Sequence, residues 1–357
     1  MPDKKNTEER ISKSIRDLKP YSVPEIQCRI RLDGNESPYN LLNTISDEIY
    51  ESVSRIELNR YPDSTTRELR EKISSQTGVP TGGILLGNGS DELIQMIIEC
   101  YTGKSGCILM PKPTFSMYRI SGMVLGKEVS EVDLDESFDL DTEAIKEVIS
   151  EKDPDLFFFA TPNNPTSNRF SRGRIVEIIE STSGIVVLDE AYFDYQGDTL
   201  LPLIETYENV VVLRTMSKIG FASLRLGIML CKECIIHQVN KARLPYNINS
   251  LSLVLASLVY EKYDIVQEKI ELVKQERERL SIALAGINGI SVYPSDANFL
   301  LLDVGDSQRV FDELVKRDIL VRKLHGTQRL ENCLRITVGT PNENDELIEA
   351  LSDISLS

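Results

Sequence analysis

Val210-Val211-Val212-Leu213-Arg214-Thr215-Met216-Ser217-Lys218 runs from four consecutive apolar residues into a hydroxyl and an amine. An apolar stretch of that density is expected to form a strand buried on both faces, as parallel sheets require. Two upstream runs end in the same way. Leu156-Phe157-Phe158-Phe159-Ala160 opens into Thr161-Pro162-Asn163-Asn164-Pro165-Thr166, and Ile185-Val186-Val187-Leu188 opens into Asp189-Glu190-Ala191-Tyr192. Ligands of open α/β sheets bind just outside the carboxyl ends of the strands. An amide, a carboxylate, a phenol and an amine are therefore expected to converge on one small molecule.

Those four groups answer separate demands of pyridoxal phosphate. Lys218 can attach to the cofactor aldehyde and, once substrate displaces it, shuttle the proton at the substrate α-carbon. Asp189 can keep the pyridine nitrogen protonated, which lets the ring absorb carbanion charge. Tyr192 and Asn164 can hydrogen-bond the ring 3-oxygen. Each residue alone has an ordinary explanation: a solvated loop lysine, a helix cap, a turn residue before proline. Their succession at three strand ends is what indicates a cofactor. For its phosphate, Gly87-Asn88-Gly89-Ser90-Asp91-Glu92-Leu93 supplies glycines that admit close backbone approach and, from Ser90 and Asp91, a helix N-terminus that attracts anions. A glycine-rich turn by itself is equally a plain strand-to-helix connection. Ser217 and Arg225 are candidates to complete the phosphate site, Arg225 through a charge-assisted bond.

Working outward, strand-like runs at Ile84–Leu86, Cys107–Met110, 156–160, 185–188, 210–213 and Leu226–Leu230 alternate with helical patterns. Such alternation predicts an α/β fold with a mostly parallel, doubly wound central sheet. From Leu251 to about Ala285 the pattern becomes one long helix with charges on one side. Beyond it, runs at 298–302, 309–317, 319–322 and 333–338 and a final helix from Asn344 predict a β-α-β-β-α order, suited to a smaller α+β domain. Tyr21 to Tyr39, with Pro24, Gly34 and Pro38, is expected to lie across the body as an irregular arm. The expected division is an arm over 1–55 that contributes to the small domain, a large cofactor domain over 56–260 and a small domain over 261–357.

The chain has 357 residues, 41% of them hydrophobic, enough to bury a large core. With 40 basic and 56 acidic residues the net charge is -16, which argues against nucleic-acid binding. No apolar run approaches the ~18 residues of a membrane span, and Met1 to Ser14 lacks the apolar centre of a secretory signal. A cytoplasmic location is expected. The cysteines are scattered beside apolar residues, as reduced thiols in a cytosolic core would be. Cys231 and Cys234 form a CxxC pair without the further ligands of a zinc site or a thioredoxin-like context, so no metal is expected.

Over nearly its full length the chain resembles the fold-type I pyridoxal-phosphate aminotransferases, and within them the histidinol-phosphate aminotransferases. The resemblance rests on Leu18-Lys19-Pro20-Tyr21, Leu32-Asp33-Gly34-Asn35-Glu36-Ser37-Pro38-Tyr39, Asn59-Arg60-Tyr61-Pro62-Asp63, Gly89 to Glu92, Pro113-Thr114-Phe115-Ser116-Met117-Tyr118, Pro162 to Thr166, Asp189 to Tyr192, Arg214 to Lys218, Pro245-Tyr246-Asn247 and Leu334-Arg335-Ile336-Thr337-Val338-Gly339-Thr340. It implies a fold-type I transferase in which Lys218 carries the cofactor, Asp189 faces the pyridinium, and Tyr192 and Asn164 hold the 3-oxygen. It also implies that Ser90, Asp91, Ser217 and Arg225 surround the phosphate and that Phe115 stacks on the ring. Many relatives have tyrosine at that last position, so here the stacking surface remains without the hydroxyl. Tyr61, by itself an exposed turn residue, is implied to reach the cofactor phosphate of a neighbouring subunit, which makes the active site a property of a homodimer.

Arg335 lies in an apolar strand pattern, where an unpaired guanidinium would be costly and an anion would be welcome. Arg322, ending Ile319-Leu320-Val321, can join it; structural ion pairing is the alternative for both. The resemblance implies that these two, with Tyr21 and Asn35, bind substrate, gripping the phosphate of histidinol phosphate or the distal carboxylate of 2-oxoglutarate and glutamate. The expected activity is transamination of L-histidinol phosphate with 2-oxoglutarate in histidine biosynthesis. Rival readings are a threonine-phosphate decarboxylase or an aromatic amino-acid aminotransferase on the same platform. A cofactor-sensing regulator would need a DNA-binding module and a basic surface, and a Rossmann protein a glycine fingerprint with a following acidic residue.

Overall fold

The computed structural model describes residues 10–16, 18, 20, 26–41, 44–324 and 328–354. Among the described residues twelve strands form two sheets: β1 Ile30–Leu32, β2 Ile84–Asn88, β3 Cys107–Lys112, β4 Glu128–Asp133, β5 Leu156–Ala160, β6 Ile185–Asp189, β7 Val210–Thr215, β8 Leu226–Cys231, β9 Ser291–Val292, β10 Phe299–Asp303, β11 Ile319–Lys323 and β12 Cys333–Thr337. The large sheet has the order β2-β8-β7-β6-β5-β3-β4. All its pairings are parallel except those of β8, which runs antiparallel to both β2 and β7.

The dense apolar strands have the burial that their composition predicts. Phe157, Phe159, Val186, Leu188, Val210 and Val212 join the core on one face of the sheet, while Leu156, Phe158, Val187, Val211 and Leu213 join the core on the other. Successive side chains of a strand alternate between faces, so a run that is apolar throughout must be covered on both. Helix Ser90–Tyr101 covers one face with Leu93, Ile94, Ile97 and Ile98. Helix Arg172–Ser181 covers the other with Ile175, Ile178 and Ile179.

Four elements depart from the sequence-based expectation. β4 has no apolar run: Glu128, Glu131 and Asp133 are exposed along it, as befits the edge of the sheet. The segment expected to be an irregular arm contains β1, which pairs parallel to β11 and extends the small sheet, of order β1-β11-β12-β10-β9. The long helix is two helices, Ser250–Glu261 and Tyr263–Ala285, broken at Lys262 (φ -113°, ψ 30°). The first is capped by Asn249, whose side chain accepts from the Ser252 amide. The last helix begins at Pro341, three residues before Asn344, because Thr340 and Glu343 form a capping box at its start.

The small sheet turns Leu300, Leu302, Leu334 and Ile336 into its own core and Phe299, Leu301 and Cys333 toward the core of the large body. That second face also carries Arg335. The small sheet thus closes over the carboxyl ends of β5 and β6, where the polar residues of the loops lie.

Candidate active site

Lys218 sits on a 3-10 turn, Met216–Ile219, directly after β7. The Thr215 side chain accepts from the Ser217 amide to start the turn, and Gly220 (φ 104°) ends it. The amine is half-buried, with Nζ 5.7 Å from the centroid of the Tyr192 ring. Ser217 is buried, its hydroxyl 2.9 Å from Thr215 Oγ1.

Asp189 ends β6 and is only 4% exposed. Its Oδ1 accepts from the Ala191 amide at 3.0 Å and its Oδ2 from the Tyr118 hydroxyl at 2.6 Å. Desolvation pushes its carboxyl up to about 6, against the pull of those two donors. Tyr118 is fully buried, stacked on Phe158 at 4.8 Å and met edge-on by Phe115 at 5.4 Å. Burial raises its phenol well above the ordinary range, so it remains a donor. The sequence reading assigned Tyr118 no role. The available signal was its spacing from Phe115, which places both rings on the loop and helix after β3.

Tyr192 is 5% exposed and lies against Phe299 at 5.2 Å. Its hydroxyl oxygen accepts from Asn35 Nδ2 at 3.0 Å, which leaves its proton for another acceptor. Asn35, buried and in the left-handed region (φ 53°), is fixed by its own amide to Thr337 Oγ1 and by its carbonyl to Asn298 Nδ2. In this structure Asn35 therefore touches the phenol that was assigned to the ring 3-oxygen. Asn164 accepts from Arg335 Nη1 at 2.7 Å through Oδ1, and its Nδ2 makes no hydrogen bond among the described residues. Amide and phenol are both left as donors. The neighbouring Asn163, fully buried, ties Pro113, Thr114 and Thr166 together and fixes the loop that carries Asn164.

Ser90 and Asp91 open helix Ser90–Tyr101 behind Gly89 (φ 85°). Arg225, itself at φ 49°, reaches across this end and donates to Asp91 Oδ2 at 3.1 Å. A Cβ on Gly227 would lie 2.5 Å from the Ser90 nitrogen, and one on Gly89 would lie 2.7 Å from the Arg225 guanidinium. Glycine at both positions is what lets β8, the turn and the arginine close on the helix N-terminus. Phe115 is partly buried at the rim of this region.

Arg322 and Arg335 are directly opposite each other on antiparallel β11 and β12. Arg335 also donates to the Asp33 carbonyl at 2.7 Å and lies over the Phe299 ring. Arg322 has no hydrogen bond or ion pair among the described residues. Tyr61 is 79% exposed and stacks on Tyr246 of its own chain at 4.5 Å. Tyr21 lies outside the described residues.

The residues present fit pyridoxal phosphate. Asp189 is a buried carboxylate whose hydrogen-bond partners are both neutral, with no ion-pair partner among the described residues, and a pyridinium would supply the missing charge. The glycine-lined helix end suits a phosphate. Among the described residues no group of three or more His, Cys, Asp or Glu is placed to hold a metal. Cys231 is buried at the end of β8 and Cys234 is exposed.

The family model described as aminotransferase class I and II matches residues 29–351. The chain belongs to that family. Among its relatives, the histidinol-phosphate aminotransferase of Aquifex aeolicus is 42% identical over 345 residues, covering 96% of this chain and 97% of the relative. The histidinol-phosphate aminotransferase of Pyrococcus furiosus is 41% identical over 344 residues, with 96% and 97% covered. The crystal structure of histidinol-phosphate aminotransferase from Sinorhizobium meliloti in complex with pyridoxal-5'-phosphate superposes with a TM-score of 0.88 at 22% identity, covering 97% of each chain. That likeness establishes for this aminotransferase the fold-type I architecture, a large mostly parallel sheet with a smaller sheet beside it.

Proposed function

We propose that this aminotransferase moves the amino group of L-histidinol phosphate to 2-oxoglutarate, giving imidazole acetol phosphate and L-glutamate in histidine biosynthesis. Relatives about two-fifths identical over nearly the whole chain bear that activity in their names. The structural observation that carries the substrate class is the Arg322 and Arg335 pair. Like charges directly opposite on a sheet repel, and an anion bound between them would relieve that repulsion. Each planar fork suits a phosphate or a carboxylate, the groups that distinguish the two substrates.

The bound group would be pyridoxal 5'-phosphate, which supplies an electron sink for the substrate α-carbon. Lys218 holds it and moves the proton at that carbon. Asp189, oriented by Tyr118, keeps the ring nitrogen protonated. Tyr192 and Asn164 donate to the 3-oxygen. Ser90, Asp91, Ser217 and Arg225 hold the phosphate, and Phe115 covers the ring. Asn35 acts on substrate chiefly through Tyr192, and Tyr21 is retained as a substrate contact. The chain divides as arm 1–55, large domain 56–260 and small domain 261–357, a reading supported by the helix break at Lys262.

A homodimer completes the site through Tyr61. Tyr50, Leu58, Tyr61 and Leu244 are exposed large apolar residues of the kind that a second copy would cover. Sedimentation is expected to give a dimer, and a monomer that remains fully active would remove Tyr61 from the site. A cytoplasmic location fits the six unbonded cysteines.

A donor panel tests the reaction: glutamate formed from histidinol phosphate and 2-oxoglutarate, against carbon dioxide released from phosphothreonine and glutamate formed from phenylalanine or tyrosine. Preference for either rival would replace the proposal. Removing Arg322 or Arg335 is expected to lower kcat/KM for the phosphorylated donor by about a hundredfold, the worth of a charge-assisted pair of bonds. For Arg322→Ala the loss should lie mainly in KM. Arg335→Ala should lower kcat as well, because Asn164 loses its partner. Lysine should restore little at either position. Steady-state kinetics on the four variants checks this.

A further inference from the structure

We infer that Tyr195, braced by Arg277, is a positioning residue for Lys218: it fixes the backbone of the lysine turn from beneath and ties that turn to the small domain. The inference rests on the reading of Lys218 as the cofactor-bearing lysine. The Tyr195 ring is fully buried, and its hydroxyl donates to the Lys218 carbonyl at 2.7 Å. The 3-10 turn ends at Ile219, so that carbonyl lies beyond its last internal bond and takes its donor from outside. Burial holds the Tyr195 phenol far above its ordinary range, so it keeps the proton that it donates.

Arg277 lies on the long helix Tyr263–Ala285 and is 8% exposed. Its Nη1 donates to the Tyr195 carbonyl at 3.3 Å and to the Ala297 carbonyl at 3.1 Å. Its one ion-pair partner among the described residues is Glu278, which is largely exposed. A buried guanidinium spent on main-chain carbonyls is an expensive way to gain stability, and well-packed apolar residues often do as well. What it adds is geometry. One group joins the Tyr195 segment to Ala297, and the adjacent Asn298 holds the Asn35 carbonyl, while Asn35 holds Tyr192. The small domain thereby reaches both the phenol and the lysine of the site by two hydrogen-bonded routes.

Two phenols that hydrogen-bond around this segment, Tyr195 buried and Tyr263 half-buried, allow a matched test. Tyr263 donates to Asp194 Oδ1 at 2.5 Å, one residue before Tyr195, and makes no hydrogen bond to the lysine turn among the described residues. Tyr195→Phe and Tyr263→Phe are compared in the cofactor-loaded protein by thermal melting, by pH titration of the visible absorbance of the lysine-bound cofactor, and by kcat and KM. Both variants should melt lower. Only Tyr195→Phe should shift the absorbance midpoint, by about half a pH unit or more, and lower kcat about tenfold with little change in KM. Arg277→Lys, which cannot span both carbonyls, should move the midpoint in the same direction by less. If Tyr195→Phe matches Tyr263→Phe in absorbance and kcat, the phenol is merely structural and the inference fails. If Tyr195→Phe cannot be recovered folded, the Arg277→Lys titration decides, an unmoved midpoint refuting the brace. Failure of the underlying reading would show separately, as a visible band that survives removal of the Lys218 amine.

Discussion

Lys218→Ala is expected to lose turnover by about 10⁴-fold or more, the upper range for a positioned proton-transfer group that is also the covalent anchor. It should also lose the visible absorbance of the cofactor-loaded protein. The fold should be indifferent to the change. The Lys218 side chain makes no hydrogen bond or ion pair among the described residues, and its amine lies 5.7 Å from the centroid of the Tyr192 ring. The turn is held by backbone and neighbouring groups: the Thr215 cap, the Gly220 conformation and the Tyr195 bond to the main-chain carbonyl. Stability measured by urea unfolding of the cofactor-free protein should stay within about 0.5 kcal/mol of wild type. Retained absorbance at the wild-type wavelength would show that another lysine carries the cofactor. A collapse in stability would show that the lysine is structural.

Asp189→Asn should divide function from stability in the opposite sense. A neutral amide cannot hold a proton on the ring nitrogen, and removing a preorganised charge of this kind costs about a thousandfold in turnover. The same carboxylate is a burden on the cofactor-free protein. Burial raises its pKa from 3.8 to about 6. Between those values the folded state binds more protons than the unfolded state, so stability falls as pH rises through this window and is flat above it. At roughly 1.4 kcal/mol per unit the cost at neutral pH is about 3 kcal/mol. Asp194, also raised to about 6 by desolvation, adds a dependence of the same sign. Urea unfolding of the cofactor-free proteins should therefore show wild type weakening between about pH 4 and 6. Asp189→Asn should weaken less and be the more stable protein at pH 7.5. Identical pH profiles for the two would mean that the carboxyl is not desolvated, and the argument for a missing cation would go with it.

The parts of the site that were legible in the sequence are those in which burial and chemistry are adjacent in the chain. The apolar runs of β5, β6 and β7 are covered on both faces, and Asn164, Asp189 and Lys218 follow those runs closely in the chain. The glycine turn before Ser90 was visible for a related reason, since the close approach of Gly227 and Arg225 tolerates no side chain there. What stayed hidden depends on long-range pairing. Tyr118 meets Asp189 across 71 positions, and Asn35 meets Tyr192 across 157. Each residue in isolation is an ordinary helix or loop residue. The opposition of Arg322 and Arg335 is likewise a matter of register between β11 and β12, which apolar spacing does not specify. The break at Lys262 was masked because apolar spacing continues on both sides of it. Strand β4 was masked because an edge strand is permitted its charges.

The most direct test of the proposed reaction is a half-reaction followed by absorbance. The cofactor-loaded protein is mixed with one equivalent of histidinol phosphate and no acceptor, and 2-oxoglutarate is then added. The account predicts that the visible band bleaches with the donor, without release of carbon dioxide, and returns with the acceptor as one equivalent of glutamate forms. A band unchanged by histidinol phosphate, or carbon dioxide released from phosphothreonine while the band persists, would contradict it.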